Sequence, residues 1–505
     1  MRLLNTIKYL KFIQIYFRLF YFARNRFRKV IGFKYEFLKG SKSTGLKLID
    51  SISSSSNYKN GEFSFLNLSK KFDDKIDWNY KEYGKLWTYN LTYFEYLKEK
   101  SDLKLIYDFV EDIESVKDGL EPFPISLRGI NWIKFLSANE IKDKKIDDSL
   151  YAQYYILMDN LEYHLLGNHL LENGFSLLFG AYYFQDEKLY EKAVKILKSE
   201  LEEQILDDGA HFELAPMYHQ LMLFRVLDCI NLVQNNSWKN KELLKFLTSK
   251  AELMLGWLEN MTFKNGNIPL FNDSANSIAP ISKELFEYGN NLKINIKNSK
   301  LKESGYRKIS KERYECIVDV GQIGADYIPG HAHSDTFNFE LYIDEKPFIV
   351  DTGLSTYETN ERRTVERSTS SHNTVEVNAT NQSEVWGGFR VANRAYVIDV
   401  VEDIDHIKAT HDGYKNKFGI FHTREWIFED NKIIIKDSLN KKCEAIARLH
   451  FHPDVTEEAI REKINIQNLE FNIENYNYAK EFNQLLVALV LEIPFNKNII
   501  LEIKI

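Results

Sequence analysis

The stretch Phe337-Asn338-Phe339-Glu340-Leu341-Tyr342-Ile343, followed by Asp344-Glu345-Lys346-Pro347 and then Phe348-Ile349-Val350, divides the chain in two. Apolar side chains at every second position give one face of a strand, and the polar tetrad with its proline supplies a turn, so the stretch predicts a β-hairpin. Similar short runs follow at 373–378, 394–401, 417–428, 432–436, 445–451 and 484–492, with Asp430-Asn431 marking another tight turn. Strands with no helical segment between them predict antiparallel sheets packed as a sandwich. On the N-terminal side the period changes. From about Trp78 to Tyr288, apolar residues recur at helical spacing over 147–166, 169–184, 188–205, 217–234 and 241–259. Short polar links such as Gln185-Asp186-Glu187 make neighbouring helices antiparallel, giving repeated hairpins in either a stack or a closed ring. The switch falls near residue 306.

A chain of 505 residues is long for one core and comfortable for two domains. With 44% apolar and 28% charged residues it reads as folded rather than disordered. A net charge of −7 argues against a general nucleic-acid binder, though a local basic cleft for an anionic glycan is compatible with it. Cys229, Cys316 and Cys443 are widely spaced, match no zinc or redox motif and imply no disulfide framework. In residues 1–32, Lys8, Lys11, Arg18 and Arg24 interrupt the apolar stretches, so neither a secretory signal nor a spanning helix is expected. A cytoplasmic or membrane-peripheral location is the resulting expectation. Aromatics alternating with Lys and Arg suit a basic amphipathic helix, which either lies on an anionic membrane surface or docks its apolar face on the rest of the protein. Residues 41–60, with Ser53 to Ser56 in a row, read as a loop or linker.

The densest polar cluster is Gly330-His331-Ala332-His333-Ser334-Asp335. Histidines at i and i+2 on an extended segment share a face and can offer two nitrogens to one metal. Asp351, after the hairpin's second strand, and His372, in Ser371-His372-Asn373-Thr374, are suitable further ligands. The alternative is a pair of loop histidines with local hydrogen bonds. In Gly167-Asn168-His169-Leu170-Leu171-Glu172-Asn173-Gly174, His169 and Glu172 are three apart and can face one side of a helix, while Asn168 also suits a helix cap. His211-Phe212-Glu213 precedes Pro216-Met217-Tyr218-His219, where Pro216 marks a helix start and leaves Tyr218 in the first turn. Helix N-termini favour negative charge, which would lower the pKa of that phenol and suit it to proton transfer. Asn272-Asp273-Ser274 is a smaller signal. Arg362, Arg363 and Arg367 could bind carboxylate or sulfate, or pair with Glu361 and Glu366. His450 and His452 repeat the i, i+2 spacing without a companion carboxylate and read as structural.

In order and spacing, these segments from Lys85 to Arg394 resemble the heparinase II/III-like family of polysaccharide lyases. The resemblance implies a multidomain α and β chain, in which an N-terminal incomplete (α/α) toroid is followed by a C-terminal antiparallel β-sandwich, with the active site in the cleft between them. The expected parts are a basic aromatic segment and linker over 1–60, the toroid over 61–300 and the sandwich over 301–505. It also implies β-elimination on an acidic, uronic acid-containing polysaccharide. Asn168 and His169 would neutralise the uronate carboxylate, Tyr218 and His331 would share the proton transfers, and Glu172 would support the site. His333, Asp351 and His372 would hold a structural zinc. The basic N-terminal segment is similar to that of heparinase-like proteins associated with surface-polysaccharide production. Two other readings stand beside this one: a non-catalytic glycan-binding or assembly factor, and a hydrolase using carboxylates such as Glu172 and Glu213.

Overall fold

A computed structural model describes residues 2–35, 42–239, 241–466 and 469–505. Position 41, the first residue of the expected linker, lies outside the described residues. The chain opens with α1 (Arg2–Ile7) and α2 (Phe12–Val30), followed by a small antiparallel sheet of β1 (Asn57–Lys59), β2 (Glu62–Phe65) and β3 (Leu68–Lys71). Helices then dominate: α3 (Lys85–Tyr93), α4 (Leu103–Asp112), α5 (Pro122–Ala138), α6 (Lys144–Asp159) and α7 (Gly167–Phe184). The series continues with α8 (Glu187–Gln204), α9 (Pro216–Asn235), α10 (Glu242–Met261) and α11 (Ser282–Asn291).

Local chemistry sets these boundaries. The Asp143 and Asp186 side chains accept backbone N–H groups in the first turns of α6 and α8, filling donors that a helix start leaves open. Gln185 takes up a left-handed conformation, so the expected link between α7 and α8 is a tight reversal. The expected helix 147–166 stops earlier, because Asn160 caps α6 and Leu161–Leu166 form a separate loop. Every residue of α7 except His169 is buried, as a helix apolar on all sides must be, and it packs against α5, α8 and α9.

Beyond residue 306 the described residues form antiparallel sheets. One contains β4 (Tyr306–Ser310), β5 (Tyr314–Asp319), β6 (Phe339–Ile343) and β7 (Lys346–Ile349) in sequential order. Asp344 and Glu345, both at positive φ, make the β6–β7 connection a two-residue turn, shorter than the tetrad read from sequence. After α12 (Glu361–Glu366) come β8 (Val375–Val377), the short pair β9 (Val385–Trp386) and β10 (Arg390–Val391), β11 (Val397–Asp403) and β12 (His406–His411). Next are α13 (Lys415–Phe418), β13 (His422–Phe428), β14 (Lys432–Leu439), β15 (Ala445–His450) and α14 (Glu457–Lys463). The chain closes with β16 (Ile464–Ile466), β17 (Asn472–Glu481), β18 (Gln484–Phe495) and β19 (Asn498–Lys504). A sheet ordered β11-β12-β13-β14-β19-β16 faces β17-β18-β15-β8 and the β4–β7 sheet across one apolar core that includes Phe339, Leu341, Trp426, Ile435 and Leu491.

β6 is buried on both faces, not one. Phe339 and Leu341 enter the core between the sheets, whereas Tyr342 stacks on Phe263 beyond α10, with ring centroids 3.8 Å apart. Glu340 accepts the Leu270 backbone N–H at 2.8 Å. The helical half therefore docks on the outer face of this sheet.

The N-terminal helix reverses one expectation. Its docked face is largely polar, with Phe17 stacked on Tyr163 among the polar contacts: Gln14 donates to the carbonyls of Leu165 and Tyr327, and Tyr21 to that of Leu161. Arg24 and Arg28 pair with Asp159. The apolar side points outward, because the carbonyls at the end of α6 and in the following loop need donors and these long basic side chains supply them.

Candidate active site

The site forms where α7 and α9 begin and where the segment between β5 and β6 returns to the helical half. The backbone turns sharply at Leu166 (φ 65°, ψ −154°) and Gly167 (φ 59°) to start α7. The positive φ at Gly167 favours glycine, and a Cβ there would crowd the Ile328 side chain at 2.5 Å. Asn168 follows, buried. Its backbone N–H donates to Glu213 Oε1 at 3.1 Å, and its Nδ2 lies 3.4 Å from both Glu213 Oε2 and His331 Nε2. His169, the one α7 residue left partly open, donates to Glu162 Oε1 at 3.0 Å. Burial opposes a charged ring there, but the Glu162 carboxylate, with Glu213 and Glu172 behind it, outweighs this and holds the imidazole above its usual range.

Pro216 opens α9, and Ser274 Oγ accepts the Met217 N–H at 3.2 Å in its first turn. This places Tyr218 against His331, with ring centroids 3.9 Å apart, and brings its hydroxyl 3.0 Å from that of Tyr357. Sequence position predicts a lowered phenol pKa, and the structure corrects this. Burial raises Tyr218 above the ordinary tyrosine range; the Tyr357 hydrogen bond works the other way, and the nearby Asp273 and Glu213 carboxylates add to the rise.

Asp273 joins the parts. His331 Nδ1 donates to its Oδ2 and His333 Nε2 to its Oδ1, both at 2.8 Å. The buried Arg363 guanidinium grips both oxygens. Burial alone would push this carboxyl up, but Arg363 and the two imidazole donors hold it well below the usual carboxylate range. An ionised Asp273 accepts only, so His331 Nδ1 carries a proton, and Nε2 faces Asn168 Nδ2 and, at 3.5 Å, Glu213 Oε2. Arg367 donates to the Ala332 carbonyl on the loop that carries His331, whereas Arg362 pairs with Glu366 and the Asn477 carbonyl, away from that loop.

His333, Asp351 and His372 are all buried, and the two imidazole rings lie 5.3 Å apart. His372 Nδ1 donates to Asp351 Oδ2 at 2.9 Å, and Asp351 also accepts from Asn338 Nδ2 and the Gly353 N–H. Among the described residues no group of three or more His, Cys, Asp or Glu side chains converges as a ready metal cage. Imidazole and carboxylate are nonetheless donor types that zinc accepts. With one nitrogen of each ring donating to a carboxylate, His333 Nδ1 and His372 Nε2 are left as buried lone pairs without partners, and Asp335 Oδ2 is also unpartnered.

Glu172 lies apart from His331. It pairs with Arg225 at 3.2 Å, which also reaches Glu95, and burial raises its pKa. His211 and His219 are internal ties: His211 Nε2 lies 3.0 Å from Gln204 Oε1, and His219 Nε2 donates to the Met254 carbonyl. The site also uses residues to which sequence reading gave no such part: Asp273, Tyr357, Glu162 and, as a partner of Asn168, Glu213. Asn272-Asp273-Ser274 and Arg363 carried a signal, but their meeting did not.

A family model described as Heparinase II/III N-terminus matches residues 128–301, and one described as Heparinase II/III-like, C-terminal matches residues 295–484. The chain belongs to the heparinase II/III-like family. It is 24% identical over 318 residues to the heparin-sulfate lyase of Bacteroides stercoris, a match covering 57% of this chain and 46% of that protein. The matched region thus spans about half the length of that curated relative. A heparinase III crystal structure superposes with a TM-score of 0.65 at 15% identity, over 98% of this chain and 91% of that one. A mutant heparan sulfate lyase from Pedobacter heparinus gives 0.56 at 16% identity, over 94% and 86%. At such identities the structural likeness concerns the fold alone. Within the family frame, Asn168, Tyr218 and His331 come from distant segments and meet at one point.

Proposed function

We propose that this chain is a polysaccharide lyase that cleaves a uronic acid-containing polysaccharide by β-elimination. The observation that carries this reading is the contact between the Tyr218 phenol of the helical half and the His331 imidazole of the sheet half. Asn168 Nδ2 and the protonated His169 ring would hold the uronate carboxylate, so that charge leaving C5 spreads into it. The His331 Nε2 lone pair, oriented by Asp273, takes the C5 proton. The electron pair left behind forms the C4–C5 double bond as the C4–O bond breaks. Tyr218, protonated because burial raises its pKa, gives its hydroxyl proton to the departing oxygen. The likeness to the heparin-sulfate lyase supports an acidic glycan as substrate.

In this reading the helical half is an incomplete (α/α) toroid and the cleft lies between it and the sandwich. His333 and His372, with Asp351 and Asp335 as carboxylates in the same pocket, would hold a structural zinc, which when bound would fix the segment that presents His331. The role would lie in production or turnover of a surface polysaccharide. The test is purified protein supplied with a panel of acidic polysaccharides. New ultraviolet absorbance from unsaturated ends, lost in Tyr218→Phe and His331→Ala, is the expected result. Glycan binding with no bond cleaved would replace the lyase reading with that of a binding factor.

A further inference from the structure

The outer face of α2 has no counterpart in the chemistry above. Phe12 is 81% exposed, Leu19 and Phe22 65%, Phe27 63% and Val30 81%. At helical spacing these residues form one stripe, directed away from Gln14, Arg18, Tyr21, Arg24 and Arg28, which dock the helix. Leu3, Leu4 and Ile7 of α1 are exposed as well. An apolar stripe of this kind on a fixed surface helix calls for a partner, since scattered exposed apolar residues need none but a contiguous band does.

Charge indicates which partner. Residues 1–35 contain no Asp or Glu, in a protein whose net charge is −7. Lys8, Arg26, Lys29 and Lys34 are exposed, with Arg26 set between Phe22 and Val30 on the stripe's own face. A second copy docking the same face would set like charge against like. An anionic lipid surface offers complementary charge and an apolar layer for the rings. No helix among the described residues is long and apolar enough to cross a membrane, so contact would be at the surface. The helix is also well placed to transmit position. Gln14 bonds both Leu165, next to the start of α7, and Tyr327, four residues before His331, while Arg2 pairs with Glu384. One strap thus touches both walls of the cleft.

We propose that α1 and α2 seat this protein on an anionic membrane surface, with the aromatic stripe in the headgroup layer and the cleft held alongside it. The assignment is independent of the elimination chemistry. Flotation of the full chain with phosphatidylcholine vesicles, with or without about a quarter phosphatidylglycerol, tests it. The chain should float with the anionic vesicles only, and Phe12→Ser/Leu19→Ser/Phe27→Ser should reduce the bound fraction more than about tenfold at an unchanged melting temperature. Arg26→Glu/Lys29→Glu, which leaves the stripe intact, should weaken binding too. Equal flotation of the triple variant, or no flotation of the wild type, would overturn the proposal. So would a dimer in solution that the triple variant disperses without vesicle binding.

Discussion

Tyr218 and His331 occupy the same contact but have different duties, and their surroundings separate them. The phenol is half-buried beside carboxylates, which together with its desolvation keep it protonated, while Asp273 fixes the imidazole through Nδ1 and leaves Nε2 facing the site. Tyr218→Phe keeps the ring packing and removes only the proton, so kcat should fall about 10²- to 10⁴-fold with little change in melting temperature. Steady-state kinetics on whichever glycan is cleaved would show this, and a variant with near wild-type kcat would remove Tyr218 from the reaction. His169 carries a pH signature. Its pKa is raised, so the charged ring persists to higher pH than an ordinary imidazole and is lost as pH climbs through that value. KM should therefore rise on the alkaline side. Glu162→Gln takes away the main stabilising carboxylate and should move that rise to lower pH; an unmoved profile would mean His169 does not bind the uronate. For the metal, His333→Ala or His372→Ala should abolish zinc in elemental analysis of the purified protein, whereas the half-buried His406, paired with Glu425 on another sheet, replaced by Ala should not.

At the level of elements, the loop Asn272–Ser274 does most to assemble the site. Ser274 caps α9, Asn272 Oδ1 accepts the His333 N–H at 2.9 Å, and Asp273 binds two imidazoles and a guanidinium. Asp273→Asn keeps the shape but leaves Arg363 buried with a neutral partner and loosens the His331 tautomer. Stability should drop by about 3–5 kcal/mol, and kcat by about a hundredfold or more, measured by denaturant unfolding and kinetics. The helices around this loop were readable, since their apolar period and their Asp and Pro start signals are local. The site was partly readable for the same reason: the Asn168-His169 and His331–His333 segments advertise themselves. What Asp273 touches was not, because its partners lie at least 58 positions away. α2 was legible as amphipathic, but periodicity gives two faces and does not say which one meets protein, so membrane contact and docking of the apolar face both stayed open. β12, β17 and β19 were missed because histidine, lysine, asparagine and glutamate interleave with their apolar residues and blur the alternation.

For the whole molecule, activity depends on how two separately packed halves are set against each other. The junction holds Trp257, Phe263 and Phe271 from the helical half against Tyr306, Ile317 and Tyr342 from the sheet half, all buried. The junction lies outside the reacting groups, and by fixing how the halves meet it should influence the distance between Tyr218 and His331. Shifts of about 1 Å in such a pair can cost about a hundredfold in rate. Phe263→Ala opens this junction where Phe263 stacks on Tyr342, and should cost about 3–5 kcal/mol. Ile435→Ala, inside the core between the sheets, should cost about 2–5 kcal/mol while leaving the junction untouched. Assayed well below both melting temperatures, the junction variant should lose kcat out of proportion to its stability, and the core variant should keep it. Equal kcat in the two would mean that the halves find their register without these rings, and that the short segments bridging the cleft, Asp273 and the α2 strap among them, hold it instead.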